Sequence, residues 1–496
     1  MRTKLTIYNT LVSLLSQVLF LVLSLIFPRL IILTFGSEVN GLTSSINQIL
    51  NIINLLQVGI VGASIYDMYK PIIEGNEKVI GSIYYTAKTY FNKVSLIFFV
   101  FGIIVMPFFL LGGSYQISFI EIFLSVIILT LNGALVFKYI SSYDIIISAH
   151  QRKYILVYSS LIEKIIYYGL LFLTIYLKTH FIFMYISILI GTLFRILYLR
   201  NFFNKTFLPK IFEFKSENNY KVKNQKFLLI NQIVQQLIES IPTLIISKIY
   251  GFSIVSVFSL YNMIVSAFKM LATTIQNSVA ASFGDLAETD KKRASKIFDI
   301  IQLMFVNLGT IVGSCMIVLC LPFISLYSAG FKNINYSNVN LSIFMSLFIL
   351  SFLIFLPYNM AINSTGKYKS VTRYNLTVGV ICIIIAVFAA IINFDYCIIP
   401  FILFYLVSSI NYIRVIKSEC FDININKHLL RIIIPIIFVI IYYFTMNIWS
   451  VNTWIDFIII GSLHFGISSI LVILTNVLFD WHSFKNVFLF IRRRLW

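Results

Sequence analysis

Arg29, Glu239 and Lys269 are charged residues set inside otherwise apolar stretches, and amide and hydroxyl side chains approach each of them at helical spacing. Asn231, Gln235, Glu239, Thr243 and Ser247 advance by four, with Gln232, Gln236 and Ser240 alongside. Ser259, Asn262, Ser266, Lys269, Thr273 and Gln276 advance by three and four, as do Asn40, Ser44, Asn47, Asn51 and Asn54. Asn9, Ser13 and Gln17 begin a fourth series that reaches Arg29 by way of Leu21 and Leu25. Residues so spaced share one face of a helix. The chemistry they offer is recognition: amides and hydroxyls exchange hydrogen bonds with a hydroxyl-rich solute, and Arg29 and Lys269 can meet phosphate oxygens. Glu239 can hold a proton or a cation. Lys164, beside Glu163, is a further charge in an apolar stretch and serves either substrate contact or a local ion pair. A single Asn or Ser can simply join two helices, but four complete faces point to a wet cavity. A charge at bilayer depth costs at least about 2.5–3.5 kcal/mol, so Arg29, Glu239 and Lys269 are expected to face water or one another.

Catalysis and metal chemistry find no support in the sequence. The histidines His150, His180, His428, His464 and His482 are scattered, without the spacing of a metal site. The cysteines Cys315, Cys320, Cys382, Cys397 and Cys420 are odd in number and form no disulfide framework. No phosphate-binding glycine loop or nucleophile elbow occurs.

The elements that position the polar faces follow from composition. Hydrophobic residues make up 59% of the 496 and charged residues 11%, with a mean hydropathy of +0.92, which excludes a soluble protein. The apolar runs exceed roughly 18 residues and therefore predict membrane-spanning helices, not barrel strands. In order they lie near 5–35, 41–66, 90–111, 119–140, 154–177, 181–200, 227–249, 253–283, 298–327, 340–362, 374–393, 396–413, 429–448 and 455–479. The first is too long for a signal-peptide core and lacks a small-residue cleavage site, so it is expected to stay attached.

Charge placement supports this count. With the N-terminus inside, Lys178, Lys248 and Lys332 fall in outer segments, Arg29, Lys164 and Lys269 lie within spans, and the other basic residues occupy alternate inner segments. About fourteen spans with both termini cytoplasmic follow. The net charge of +19 thereby reflects topology and contact with anionic membrane lipid, not nucleic acid. The basic tail Phe484–Trp496, with Arg492, Arg493 and Arg494, fits an amphipathic segment at the inner interface, and Trp449, Trp454 and Trp481 sit at predicted helix ends.

The chain also repeats itself. Adding 215 to Ser44, Asn47, Asn51 and Asn54 gives Ser259, Asn262, Ser266 and Lys269, and Pro28 and Gly36 correspond to Pro242 and Gly251. Two homologous six-helix bundles are expected, 1–200 and 227–416, separated by a cytoplasmic linker 201–226 and followed by a helix pair with its tail, 417–496. Transporters are commonly built from such repeats.

Several segments carry a resemblance. They are Phe35-Gly36-Ser37-Glu38-Val39-Asn40-Gly41-Leu42, Gln57-Val58-Gly59-Ile60, Tyr69-Lys70-Pro71, Ala149-His150-Gln151-Arg152-Lys153-Tyr154, Leu260-Tyr261-Asn262 and Ser282-Phe283-Gly284-Asp285-Leu286. In this order and spacing the chain resembles the bacterial polysaccharide flippases of the multidrug/oligosaccharidyl-lipid/polysaccharide (MOP) exporter superfamily.

The resemblance implies two six-helix lobes forming a V-shaped cleft lined by spans 1, 2, 7 and 8, the four that carry the polar faces. It implies an undecaprenyl-diphosphate-linked oligosaccharide repeat unit as substrate, moved from the inner to the outer leaflet of the bacterial plasma membrane by alternating access, for capsule or surface polysaccharide. On this reading Arg29, Lys269, Asn47, Asn51, Asn54, Gln235, Asn262, Ser266 and Lys164 line the substrate path. Glu239, a turn before Pro242, is the candidate for Na⁺ or H⁺ coupling. No cofactor is expected and a monomer suffices, with polysaccharide polymerase and glycosyltransferases as functional associates. Two alternatives stand beside it. A MATE-type ion-coupled exporter of small, often cationic molecules would use Glu239 but gives no reason for Arg29 and Lys269. A membrane polysaccharide polymerase would need a substantial outer loop, and the outer loops here are short.

Overall fold

The computed structural model describes residues 2–481 and 483–485 except 111–116, 212–225, 333 and 447–449. Trp449, most of the tail Phe484–Trp496 and much of the expected linker 201–226 lie outside the described residues. So do the side chains of Asn9, Ser13 and the Gln57-Val58-Gly59-Ile60 segment.

Long helices follow one another: α1 Arg2–Phe35, α2 Ser37–Glu74, α3 Glu77–Leu110, α4 Phe119–Ala149, α5 Lys153–Tyr176, α6 Ile182–Thr206 and α7 Lys226–Tyr250. Then come α8 Phe252–Thr289, α9 Lys291–Tyr327, α10 Val339–Ser364, α11 Tyr368–Ile392, α12 Phe394–Cys420, α13 Ile425–Met446 and α14 Trp454–Phe479. No strand occurs among the described residues. The 12 helices from α3 to α14 are long and apolar enough to cross a membrane, and α1 adds the apolar stretch Leu19–Phe35. The polytopic all-α architecture expected from composition is thus the one observed.

Several helices overrun their expected ends. The second, expected at 41–66, is Ser37–Glu74; the third starts at Glu77 instead of 90, and the ninth at Lys291 instead of 298. At 38 residues α2 is about 57 Å long, whereas the hydrocarbon layer is about 30 Å thick. Hydropathy registers only the part of a helix that must be apolar, and polar turns continue beyond it. The α2–α3 turn is Gly75-Asn76, with Gly75 in the left-handed region at φ 66°. The α8–α9 turn is Asp290 alone, whose side chain accepts from the Arg293 backbone N–H at 3.0 Å. Gly36 (φ 89°) and Gly251 (φ 82°) are likewise single-residue breaks, before α2 and α8.

The chain divides into two compact units, Met1–Gln236 with Tyr250–Ser256, and Leu237–Ile249 with Val257–Trp496. In the first, α5 packs on α6 and α1, while α3 and α6 pack on α4. The first turns of α2 and α8 meet within this unit. Asn40 Nδ2 donates to Ser256 Oγ at 2.8 Å, and a Cβ built on Gly41 would lie 1.8 Å from the backbone oxygen of Phe252. A backbone atom has nowhere to retreat. We expect Gly41→Ala to lower stability by about 2–3 kcal/mol, read as a fall in the thermal midpoint of the purified protein, with Ser45→Ala on the same helix unchanged to within about 1 kcal/mol.

In the second unit α10 is the central helix, buried along nearly its whole length against α9 and α12. Helices gain no hydrophobic energy from packing in lipid, so close contact rests on small residues and polar links. Gly309 and Gly313 of α9 supply the first: a Cβ on Gly309 would lie 3.0 Å from that of Leu353. The second is concentrated where α9, α13 and α14 meet. Arg431 Nη1 donates to Asp299 Oδ1 at 2.7 Å and to Gln302 Oε1 at 2.5 Å. Its Nε donates to Asp480 Oδ2 at 2.9 Å, and its Nη2 bonds the same oxygen. Lys427 Nζ donates to Asp299 Oδ2 at 2.8 Å and to Ser483 Oγ. Two cations and two carboxylates therefore balance, with Arg431 only 5% exposed.

Candidate functional site

Glu239 sits on α7 one turn before Pro242, and Lys269 on α8; both belong to the second unit. Lys269 Nζ donates to Glu239 Oε1 at 2.7 Å. The Tyr405 hydroxyl, from α12, donates to the same oxygen at 3.3 Å. The rest of the ammonium is enclosed by ring faces, with centroids at 4.5 Å (Phe352), 4.7 Å (Phe348) and 5.7 Å (Tyr405). Each desolvated cation–π contact contributes on the order of 1–2 kcal/mol, which offsets part of the cost of removing the ammonium from water. The Tyr405 ring is itself held by Phe348, Phe352 and Phe355 at centroid distances of 5.6, 5.5 and 5.3 Å. Exposure within the pair is uneven. The lysine side chain is 11% exposed and the glutamate side chain 36%.

Of the two expectations for the mid-membrane charges, water or one another, Glu239 and Lys269 show the second: they pair, and the glutamate side chain is the more exposed of the two. Farther along α8, Asn262 is half-buried and Ser266 exposed. Gln276, on the same face, is buried and donates to the Leu356 carbonyl of α10 at 3.3 Å, so it joins helices.

The first unit holds the other candidates. Asn47, Asn51 and Asn54 on α2 are exposed; Arg29 on α1, Lys164 on α5 and Gln235 on α7 are half-buried. Exposure on α11 looks different, falling on Val380, Ile381, Ile384, Ile385 and Phe388, as suits lipid. On α2 the exposed positions at helical spacing are instead amides. Lys164 does not form an ion pair with its neighbour. Glu163 pairs with Arg195 of α6 at 2.8 Å and accepts from Thr192 at 3.4 Å, while the Lys164 ammonium lies 5.7 Å from the Tyr167 ring.

Sequence reading missed two cations. Arg195 and Arg431 stand near span ends, where the surplus of Lys and Arg marks the inner side, and were counted with it. The available signal was a carboxylate inside an apolar run, Glu163 or Asp299, which requires a partner.

No family model matches the chain, and no curated protein matches it. Among solved structures it is similar to one titled "Lipid II flippase MurJ, inward closed conformation", with a TM-score of 0.67 and 15% identity, over 95% of this chain and 100% of that one. It is also similar to an inward-facing multidrug resistance MATE family transporter of the MOP superfamily, with a TM-score of 0.60 and 10% identity, over 84% and 94%. The chain therefore shares its fold with both structures, and the first similarity extends over that protein's whole length.

Proposed function

We propose that the chain is a flippase that carries undecaprenyl-diphosphate-linked oligosaccharide repeat units from the inner to the outer leaflet of the bacterial plasma membrane by alternating access. The observation that carries this reading is the exposed amide face Asn47, Asn51 and Asn54 on a helix of a MOP fold. Amides at that spacing match sugar hydroxyls, and a membrane helix has no use for them against lipid. On this reading Arg29 and Lys269 offer cations to the diphosphate, and Gln235, Asn262, Ser266 and Lys164 are further candidates for contact with the substrate. The similarity to a structure named as a lipid II flippase supports a lipid-linked solute. On this reading both termini lie in the cytoplasm, and polymerase and glycosyltransferases supply and consume the cargo.

The test is reconstitution in liposomes loaded with a fluorescent undecaprenyl-diphosphate oligosaccharide. Protein-dependent exposure of the sugar to an external glycosidase is expected, and exposure no faster than in empty liposomes would end the proposal.

A second reading, the MATE-type exporter, is favoured by the partly exposed Glu239 side chain and by the second structural similarity. Efflux of a cationic dye from the same liposomes, driven by a Na⁺ or H⁺ gradient and without sugar exposure, would establish it.

A further inference from the structure

Helices α13 and α14 each pack on α9, and the three together line a groove of about 550 Å³ within the second unit. Its mouth lies at the ends of the spans, where Lys427 Nζ and Asp480 Oδ1 are 3.7 Å apart. Ile434 and Phe438 line its apolar depth, and Lys427 to Phe438 is about 16 Å of helix. Between mouth and depth the lining turns polar again. Asn476, one turn of α14 before Asp480 and 8% exposed, meets Asn307 of α9. Its Nδ2 donates to Asn307 Oδ1 at 3.0 Å and to the Val472 carbonyl at 2.8 Å. That leaves one acceptor, Asn476 Oδ1, and one donor, the Asn307 amide nitrogen, without a hydrogen bond among the described residues, and both residues line the groove.

A donor and an acceptor side by side in an otherwise apolar groove call for a solute that carries an acceptor and a donor side by side. The ester and free hydroxyl of a single-chain glycerolipid are such a pair. A polyisoprenoid tail has no polar atom to offer, and a diacyl glycerol unit has esters but no donor. At the mouth two cations and two carboxylates already balance, which leaves no surplus charge for a purely anionic headgroup. A headgroup with one phosphate and one ammonium instead meets Lys427 and Asp480 with both signs. We propose that this groove binds a lysophosphatidylethanolamine from the surrounding bilayer, with its ester on Asn307, its glycerol hydroxyl on Asn476, its chain along Ile434 and Phe438 and its headgroup over Lys427 and Asp480. The bound lipid bridges α9, α13 and α14. This goes beyond the flippase reading, because no residue of the proposed sugar path lines the groove.

The test uses purified full-length protein in detergent and counts bound lipid by native mass spectrometry, without transport, so a failure here does not bear on the flippase reading. Oleoyl lysophosphatidylethanolamine should bind to saturation at a single molecule per chain. Its analogue lacking the glycerol hydroxyl should bind roughly 10-fold more weakly, and oleoyl lysophosphatidylglycerol, which lacks the ammonium, should also bind more weakly. The double variant N307L/N476L replaces both amides by apolar groups of similar volume, which leaves stability nearly unchanged; it should bind the hydroxyl lipid and its analogue equally and weakly. Ile434→Trp, which fills the apolar depth and leaves the amides in place, serves as the second variant should the leucine protein fold poorly; it should abolish binding. An equal concentration of undecaprenyl phosphate should not displace the lysolipid. The proposal is overturned if wild type binds any of the three lysolipids as tightly as another, if N307L/N476L keeps the preference for the hydroxyl, if Ile434→Trp binds as wild type does, or if undecaprenyl phosphate displaces the lysolipid.

Discussion

Replacing Arg431 with methionine is expected to lower the thermal midpoint of the purified protein by more than roughly 6 °C and to cut the yield of monodisperse material. Arg431 is 5% exposed, and its guanidinium serves Asp299, Gln302 and Asp480 together. Methionine preserves the volume of the stem but leaves two carboxylates on α9 and just beyond α14 with Lys427 as their remaining cation. Breaking a buried pair from one side costs about 3–5 kcal/mol, because the abandoned charge stays desolvated, and each kcal/mol moves the midpoint of a unit this size by roughly 2–4 °C. Removing the charges together tests the explanation. The triple variant D299N/R431M/D480N should recover most of the loss, since a neutral junction has no stranded charge. A triple variant as unstable as Arg431→Met would mean that packing of the stem, not charge balance, holds α13 in place.

The double substitution Arg29→Ala with Lys269→Ala is expected to reduce sugar-lipid translocation by at least about 100-fold while the protein remains in the membrane at normal level. Hydrogen bonds to charged groups contribute about 1.5–3 kcal/mol each, so two phosphate contacts together correspond to roughly 10²–10⁴ in rate or affinity. Arg29→Ala alone should fall about 10–100-fold by the same arithmetic. Arg29→Lys should retain part of the activity, because an ammonium still attracts a phosphate but loses the bidentate fork. The measurement is glycosidase accessibility in proteoliposomes, normalised to protein reconstituted. Undiminished flux in the double variant would remove both residues from the substrate path.

Much of the architecture was legible because lipid imposes strict rules. Apolar length gave the helices from α3 to α14, and the four-residue rhythm drew attention to α7 and α8, where Glu239 and Lys269 are found in contact. Less legible were the ends of α2, α3, α8 and α9 that meet at the Gly75-Asn76 and Asp290 turns, since a helix leaving the bilayer becomes polar without ceasing to be a helix. Partnerships were hidden for a different reason. Arg431 bonds Asp299 across 132 residues of sequence, and a cation near a span end reads the same whether it marks the cytoplasmic side or fastens three helices. Lys269 was read as a group offered to a phosphate. The aromatic enclosure that surrounds it comes from α10 and α12, where Phe348, Phe352 and Tyr405 are indistinguishable in sequence from their many aromatic neighbours.

The Arg431 junction also bears on how the protein is made. Asp299 leaves the ribosome 132 residues before Arg431, an interval on the order of 10 s at ordinary elongation rates. During that time α9 carries a carboxylate whose arginine does not yet exist. The last two helices thus complete α9 after the fact. A messenger cut short after α12 should yield a chain that membrane proteases degrade, even though every residue of the proposed sugar path has already been synthesised.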